Sequence, residues 1–130
     1  MIRRFRFDIT TDTGAGSGTL SDTGPEAMGR IVQCRVIPVT GDTGPAIEIG
    51  MYPDLKNTGA NPAAEDTGTG YIFYTSAVAT ASIFAPTIEI KNTNGSQDTG
   101  AAYLYCAGEN LRAKVTGGDG RHIIFVYVEE

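Results

Sequence analysis

The sequence lacks tryptophan altogether and holds one histidine and two cysteines. A lone imidazole with no cysteine pair beside it cannot form an ordinary zinc site, so His122 is interpreted as part of a strand. Cys34 and Cys106 match no metal-binding spacing. A sugar-binding module usually presents aromatic platforms, and the absence of tryptophan counts against one. We therefore expect no metal and no other cofactor.

Long apolar runs are missing as well. No stretch approaches the roughly eighteen apolar residues of a membrane-spanning helix, and no apolar segment follows the basic residues near the start. We therefore expect a soluble protein that the general secretory route does not export and that does not contact a membrane. Cys34 and Cys106 alternate in phase with Val36 and Leu104, so both are expected to pack inward as free thiols in a reducing compartment. A disulfide between them is the alternative.

Basic residues are fewer than acidic ones. The chain has 15 acidic and 10 basic residues and a net charge of −5, which argues against a general nucleic-acid-binding surface. The bases are unevenly spread, because Arg3, Arg4 and Arg6 fall within the first seven residues with no acid among them. Two interpretations stay open: an N-terminal arm at residues 1–6 that meets an acidic partner, or the solvent face of a first strand.

Glycine is abundant, at 17 residues, and so are short segments in which apolar and polar residues alternate. With 130 residues the chain is long enough for one domain with a substantial core, and no obvious helical stretch is present. Turn-forming residues separate the alternating segments. The sequence therefore predicts a single all-β domain over residues 1–130, an antiparallel β-sandwich or jelly-roll-like fold of about eight strands.

The last segment of the chain is the one around which the other strands are expected to be arranged. Leu111, Ala113 and Val115 alternate with polar residues, and a glycine-rich turn at residues 117–120 leads into the apolar segment 122–128. This pattern predicts an antiparallel hairpin. Because segment 122–128 is apolar on both faces, it is expected to be a central strand.

Other strands and loops follow from the same patterns. A first strand is predicted at residues 4–9, and segments 29–39 and 46–52 are predicted to pair as a second hairpin. Two polar segments, residues 11–25 and 53–70, are predicted to be loops long enough to conform to a partner.

The tripeptide Asp-Thr-Gly occurs five times, starting at Asp12, Asp22, Asp42, Asp66 and Asp98. A single copy would suggest an aspartic protease, whose catalytic aspartate lies in such a loop. None of the five copies follows the apolar strand residues that this family uses. The repeats are better explained as turns in which aspartate bonds its own backbone. A protease that uses Asp12 is kept as an alternative, and otherwise no catalytic residue is expected.

Two tyrosines complete the set of candidate interface residues. Tyr103 and Tyr105 alternate with apolar neighbours and are expected to point outward. Exposed tyrosines at strand spacing suit a protein interface, while cover by loops of the same chain is the alternative. The candidate interface residues are therefore Arg3, Arg4, Arg6, Tyr103 and Tyr105.

Several segments resemble small all-β virion proteins of tailed bacteriophages, a group that includes head decoration (cement) proteins. These segments are the arginine-aromatic first strand, GRIVQCRVIP at residues 29–38, AYLYCAGENLRAKV at residues 102–115 and FVYVE at residues 125–129. The resemblance implies a non-enzymatic structural protein that binds the outer surface of an assembled capsid and stabilises it.

The resemblance also implies partners and a location. The partners would be the major capsid protein lattice and neighbouring copies of the chain, with no direct contact to nucleic acid. The protein would be made in the host cytoplasm and would reside on the capsid surface of the virion. The alternatives are a head-to-tail completion or tail protein and, from other classes, a carbohydrate-binding β-sandwich or the aspartic protease.

Overall fold

The structure is a computed structural model. It describes residues 1–12, 14, 16, 18–41, 46–52, 71–76, 81–91 and 97–130, and most of these residues lie in strands. These residues contain no helix, and hence none that is long and apolar enough to cross a membrane. The predicted loop at residues 53–70 lies outside the described residues. The strands are β1 (Ile2–Thr11), β2 (Thr19–Gly41), β3 (Ala46–Tyr52), β4 (Tyr71–Ser76), β5 (Ser82–Phe84), β6 (Thr87–Lys91), β7 (Gln97–Tyr103), β8 (Tyr105–Thr116) and β9 (Gly120–Glu129).

Seven of these strands form one antiparallel sheet in the order β1-β9-β2-β8-β3-β4, with β5 also paired to β2, while β6 and β7 pair as a separate ribbon. Strand β2 pairs with two different strands along its length. Its first half, up to Arg30, pairs with β8, and its second half, from Arg30 onward, pairs with β9. The sheet therefore divides at β2 into layer one (β1, β9, β5 and the second half of β2) and layer two (β8, β3, β4 and the first half of β2). The result is the all-β, antiparallel, sandwich-like fold that the sequence predicts.

Strand β2 changes layer next to Gly29, and the backbone there explains how. Gly29 has φ of 123°, a left-handed conformation that only glycine adopts easily. Register shifts flank it, between Ala27 and Met28 on the β8 side and between Ile31 and Gln33 on the β9 side. Such irregularities bend a strand and increase its twist. A Cβ atom at Gly29 would also collide with the carbonyl group of Glu129, so the crossing requires glycine.

Apolar residues with a period of two supply the core between the layers. Phe5, Phe7 and Ile9 of β1 are almost fully buried, and the polar residues between them are exposed, because successive side chains of a strand point to opposite faces. Each large side chain that is fully buried contributes about 1.5–3 kcal/mol through removal of apolar surface from water. The remaining core side chains are Ala27, Ile31, Cys34, Val36, Ile47, Ile49, Met51, Leu104, Cys106, Leu111, Ala113, Val115, Ile124, Val126 and Val128.

Side-chain contacts also join the two layers at their edges. On one side the Phe7 ring of β1 lies against Gly24 of β2. Nearby, the Asn110 side chain of β8 donates a hydrogen bond of 2.9 Å to the Gly24 carbonyl. Tyr74 of β4 and Phe84 of β5 stack with ring centres 4.2 Å apart. The Phe7–Gly24 and Tyr74–Phe84 contacts link strands of different layers that do not pair with each other, whereas the Asn110 bond lies within layer two.

Both predicted hairpins are wrong. Strand β2 lies between β8 and β9, so residues 117–119 carry the chain from layer two to layer one instead of closing a hairpin. Strand β3 pairs with β8 and β4, not with β2. Alternation determines which face of a strand is buried, but it does not determine the neighbouring strand. The chain ends a strand, turns, and starts another whether or not the two strands pair.

The predicted loop at residues 11–25 is wrong over much of its length. Thr11 belongs to β1, and β2 already begins at Thr19. Gly24 and Pro25 fall at the end of the predicted loop, yet the segment around them pairs with β8 through a register shift between Thr23 and Glu26. A β-bulge lets a strand contain a proline, since the proline then needs no ladder hydrogen bond.

Candidate interaction surfaces

The first candidate arginines lie on strand β1, which pairs with β9 along its whole length, so of the two interpretations the structure shows the strand. Arg3 is on the inward side, with its Cζ 4.6 Å from the centre of the Phe5 ring. Its Nη1 donates to the Glu26 carbonyl at 3.5 Å and lies 3.6 Å from Oε1 of Glu130. Arg3 therefore covers one end of the core and is engaged within the chain.

Arg4 and Arg6 point to the outer face of layer one. Arg4 places its Cζ 5.0 Å from the centre of the Phe125 ring, a cation–π contact. Arg6 donates to Asp8 at 3.1 Å, and Arg121 donates to both oxygens of Asp8 at 2.9 and 2.7 Å. The hydrogen bond and charge of Arg121, helped by Arg6, hold the pKa of the Asp8 carboxyl below its ordinary value.

Tyr103 and Tyr105 are exposed, as the sequence predicts, with 45% and 67% of their surface accessible. Leu104 between them is buried, and its carbonyl accepts a hydrogen bond of 2.9 Å from the Ile31 backbone nitrogen. Because Leu104 is anchored inward, the tyrosine on either side of it must point outward. The two rings are thus held by the backbone of a strand junction next to the layer change of β2.

Two residues that the sequence interpretation missed extend the tyrosines into a larger surface. Arg30 places its Cζ 4.8 Å from the centre of the Tyr103 ring and forms an ion pair of 3.1 Å with Glu129. Met28 is 58% exposed and lies opposite Ala107, two residues along from Tyr105. We call Met28, Arg30, Tyr103 and Tyr105 the tyrosine patch. The pairing of β2 with β8 brings them together, and no local pattern in the sequence reveals that pairing.

The Asp-Thr-Gly repeats divide into two structural settings. Asp12 is exposed, and its Oδ1 accepts a hydrogen bond of 2.9 Å from the Gly14 nitrogen, which is the predicted turn. Asp22 and Asp98 instead lie within strands β2 and β7, so the turn interpretation is wrong for them. Asp42 and Asp66 lie outside the described residues.

The only histidine is a core residue of strand β9. His122 is 1% exposed and lies opposite Ile9 of β1 and Pro38 of β2. Within the described ranges, no three histidine, cysteine, aspartate or glutamate side chains come together in an arrangement that could hold a metal.

Cys34 and Cys106 are free and buried, in agreement with the prediction that they pack inward. Burial raises the pKa of the Cys34 thiol to about 12, with a smaller effect from Cys106. Burial likewise raises the pKa of Cys106 to about 11, and the charge of Glu109 adds to it. The Cys106 thiol lies 3.4 Å from the sulfur of Met51. Both side chains are therefore protonated at neutral pH and act as packing residues.

Comparison of the chain with protein-family models, with curated proteins and with solved structures found no match.

Proposed function

We propose that the chain is a non-enzymatic structural protein of a tailed-bacteriophage virion that binds the outer surface of the assembled capsid and stabilises it. The observation that carries the proposal is the tyrosine patch, in which two exposed tyrosines, an arginine and a methionine lie on the outside of the sandwich-like fold. Tyrosine, arginine and methionine are the residue types enriched at protein interfaces.

The way in which the patch is held favours binding. Tyr103 and Tyr105 sit on either side of an anchored leucine, and Arg30 lies against the Tyr103 ring. Side chains that are already positioned lose little conformational entropy when a partner covers them. Large aromatic side chains and arginine also carry most of the binding energy at typical interfaces.

An assembled capsid is the partner that the sequence resemblance suggests. A lattice presents many copies of the same site and brings neighbouring copies of the bound protein together, so individually weak contacts add up to strong binding. The major capsid protein and adjacent copies of this chain are accordingly the proposed partners. The proposed location is the capsid surface, after synthesis in the host cytoplasm.

The test is to add purified protein to expanded particles of the phage that encodes the chain, and separately to its free capsid subunits. We expect clear preference for the particles and a rise in the temperature at which they release DNA. Tyr105→Ala and Tyr103→Ala should each weaken binding to particles about tenfold or more, the loss typical of an interface anchor. Tyr71→Ala is the matched control, because Tyr71 is 44% exposed on β4, away from the tyrosine patch.

Three outcomes would contradict the proposal. Equal binding to particles and free subunits, or an unchanged temperature of DNA release at full occupancy, would favour the head-to-tail or tail role. Binding that Tyr71→Ala weakens as much as Tyr105→Ala would remove the tyrosine patch from the mechanism. Peptide cleavage at acid pH that disappears in Asp12→Asn would make the chain an enzyme.

A further inference from the structure

A second surface lies on the outer face of layer one, where four adjacent strands place a row of side chains at the same level. The pairing registers put Arg6 of β1 beside Phe125 of β9, Phe125 beside Arg35 of β2, and Arg35 beside Ile83 of β5. Neighbouring strands are about 4.8 Å apart, so the row is roughly 14 Å long. Arg4 approaches Phe125 from the next position of β1. We call Arg4, Arg6, Arg35, Phe125 and Ile83 the arginine face.

Two members of this face are available for contact. Ile83 is 63% exposed. Arg35 is also exposed, and its guanidinium makes no hydrogen bond or ion pair with any residue in the described parts of the chain. An open depression of about 200 Å³ lies beside them, lined also by Ile37 and Ser82. The face thus combines an unneutralised guanidinium with exposed apolar surface.

The charge of this surface is opposite to that of the protein. Arg4, Arg6, Arg35 and Arg121 lie on it. Of the acidic residues on the same face of β1 and β9, Asp8 is already hydrogen-bonded by Arg121 and Arg6, and Glu129 forms an ion pair with Arg30. Apart from those first four arginines and Asp8, the sequence holds six basic and fourteen acidic residues. A chain of net charge −5 therefore concentrates positive charge on one side of one layer.

We propose that the arginine face is a second binding surface, and that its partner is a protein surface that carries carboxylates next to apolar side chains. Guanidinium groups bind carboxylates through paired hydrogen bonds, and Phe125 and Ile83 supply apolar contact between them. A nucleic acid fits less well, because its closely spaced phosphates would be repelled by the acidic remainder of the chain. This inference does not depend on the proposed capsid role.

The experiment is an NMR titration of the ¹⁵N-labelled full chain with poly-L-glutamate as the probe, at low and at high salt. We expect shifts of the backbone amides of Arg35, Ile83 and Phe125 that disappear at high salt. Arg35→Gln should weaken the binding about threefold, as loss of one exposed charge pair does. Lys114→Gln is the matched control, since it removes one positive charge from the outer face of layer two and should leave the affinity unchanged.

The other results would overturn the inference. Shifts that map away from the arginine face, or no binding at low salt, would mean that the face has no affinity for carboxylates. Equal weakening by Arg35→Gln and Lys114→Gln would mean that only net charge matters. Tighter binding of an oligo(dT) strand or of phosphatidylserine vesicles than of poly-L-glutamate would assign the face to nucleic acid or to a lipid surface instead.

Discussion

Cys34 is the residue at which the packing between the layers can be tested most directly. It is fully buried on β2, and its pairing registers place it opposite Val126 on one side and Phe84 on the other. Replacement by alanine leaves a small cavity where the sulfur was. Because the thiol is free, reductant has no bond to break.

We predict that Cys34→Ala lowers the free energy of unfolding by about 1–2 kcal/mol, with no dependence on reductant. Urea denaturation with and without dithiothreitol measures this, and Thr75→Ala, at an exposed position of β4, is the control that should change little. A wild-type chain that loses stability in dithiothreitol would instead reveal a disulfide.

The raised pKa of the Cys34 thiol also leads us to predict that the free energy of unfolding depends on pH. Its pKa is about 12 in the folded chain and 9.0 ordinarily, so the unfolded chain releases the proton first as pH rises. The stability that the protonated thiol contributes is therefore complete below pH 9 and is lost as pH rises toward 12. The difference between wild type and Cys34→Ala should narrow over this interval, and a constant difference in urea denaturation would contradict the assignment.

Asp8 has the opposite effect on the pH dependence of stability, because its hydrogen bond with Arg121 lowers the pKa of its carboxyl. Its contribution to stability is present above the pKa of the unfolded chain and is lost as pH falls through the folded pKa. We predict that NMR titration finds the Asp8 carboxyl below its ordinary pKa, and that Arg121→Gln raises this pKa toward the ordinary value. An unchanged pKa in that variant would mean that Arg6 alone holds the carboxylate.

At the scale of elements, β2 decides how the two layers are connected, and Gly29 is its critical position. A side chain there meets the Glu129 backbone and also has to adopt φ of 123°. Gly117 offers a matched comparison, because its φ is 79° but no atom lies within 4 Å of the position of an added Cβ.

We predict that Gly117→Ala costs about 1 kcal/mol, the strain of a left-handed backbone alone. Gly29→Ala should cost well beyond that, about 3 kcal/mol or more, because strain and a backbone collision add. Thermal and urea denaturation of both variants give the comparison. Equal costs would show that β2 can shift away from Glu129 without loss.

At the scale of the whole molecule, the shared strand couples the layers. If layer one separated from layer two, the first half of β2 would no longer be held in place by its second half. The contacts between Phe7 and Gly24 and between Tyr74 and Phe84 would also be broken. Neither layer is therefore expected to unfold alone.

We predict a single cooperative transition. Native-state hydrogen exchange should give the slowest amides of β8 and β9 the same free energy of opening, although these strands belong to different layers. If the amides of one strand opened at a free energy lower by about 2 kcal/mol or more, the layers would be independent units.

The positions of the candidate surfaces also belong to this scale. The tyrosine patch spans the start of β8 and the bend of β2, whereas the arginine face lies on layer one. The sequence pattern predicts Arg4, Arg6 and the tyrosines as one candidate set, but Arg4 and Arg6 lie on β1 of layer one, whereas Tyr103 ends β7 and Tyr105 begins β8. The first candidate, Arg3, joins neither surface, because it lies over Phe5 at the end of the core.

Local sequence patterns are enough to predict the strand class, the buried face of most strands and the outward direction of the tyrosines. Alternation does this locally: Phe5 and Phe7 face inward for the same reason that Arg4 and Arg6 face outward. The buried positions of Cys34 and Cys106 follow from the same period. These features depend only on residues two positions apart, so a linear pattern contains them.

The partners of each strand, in contrast, depend on the packing of the whole chain. Nothing in the segment from Leu111 to Val128 distinguishes a hairpin from two strands separated by β2, because pairing depends on which distant apolar faces fill one core. The turn-forming residues Gly24 and Pro25 joined a strand because β8 offered a partner for their neighbours. Arg30 stacks on the Tyr103 ring, and Arg35 pairs in register with Phe125, for the same reason. Both arrangements depend on where β2 crosses from one layer to the other.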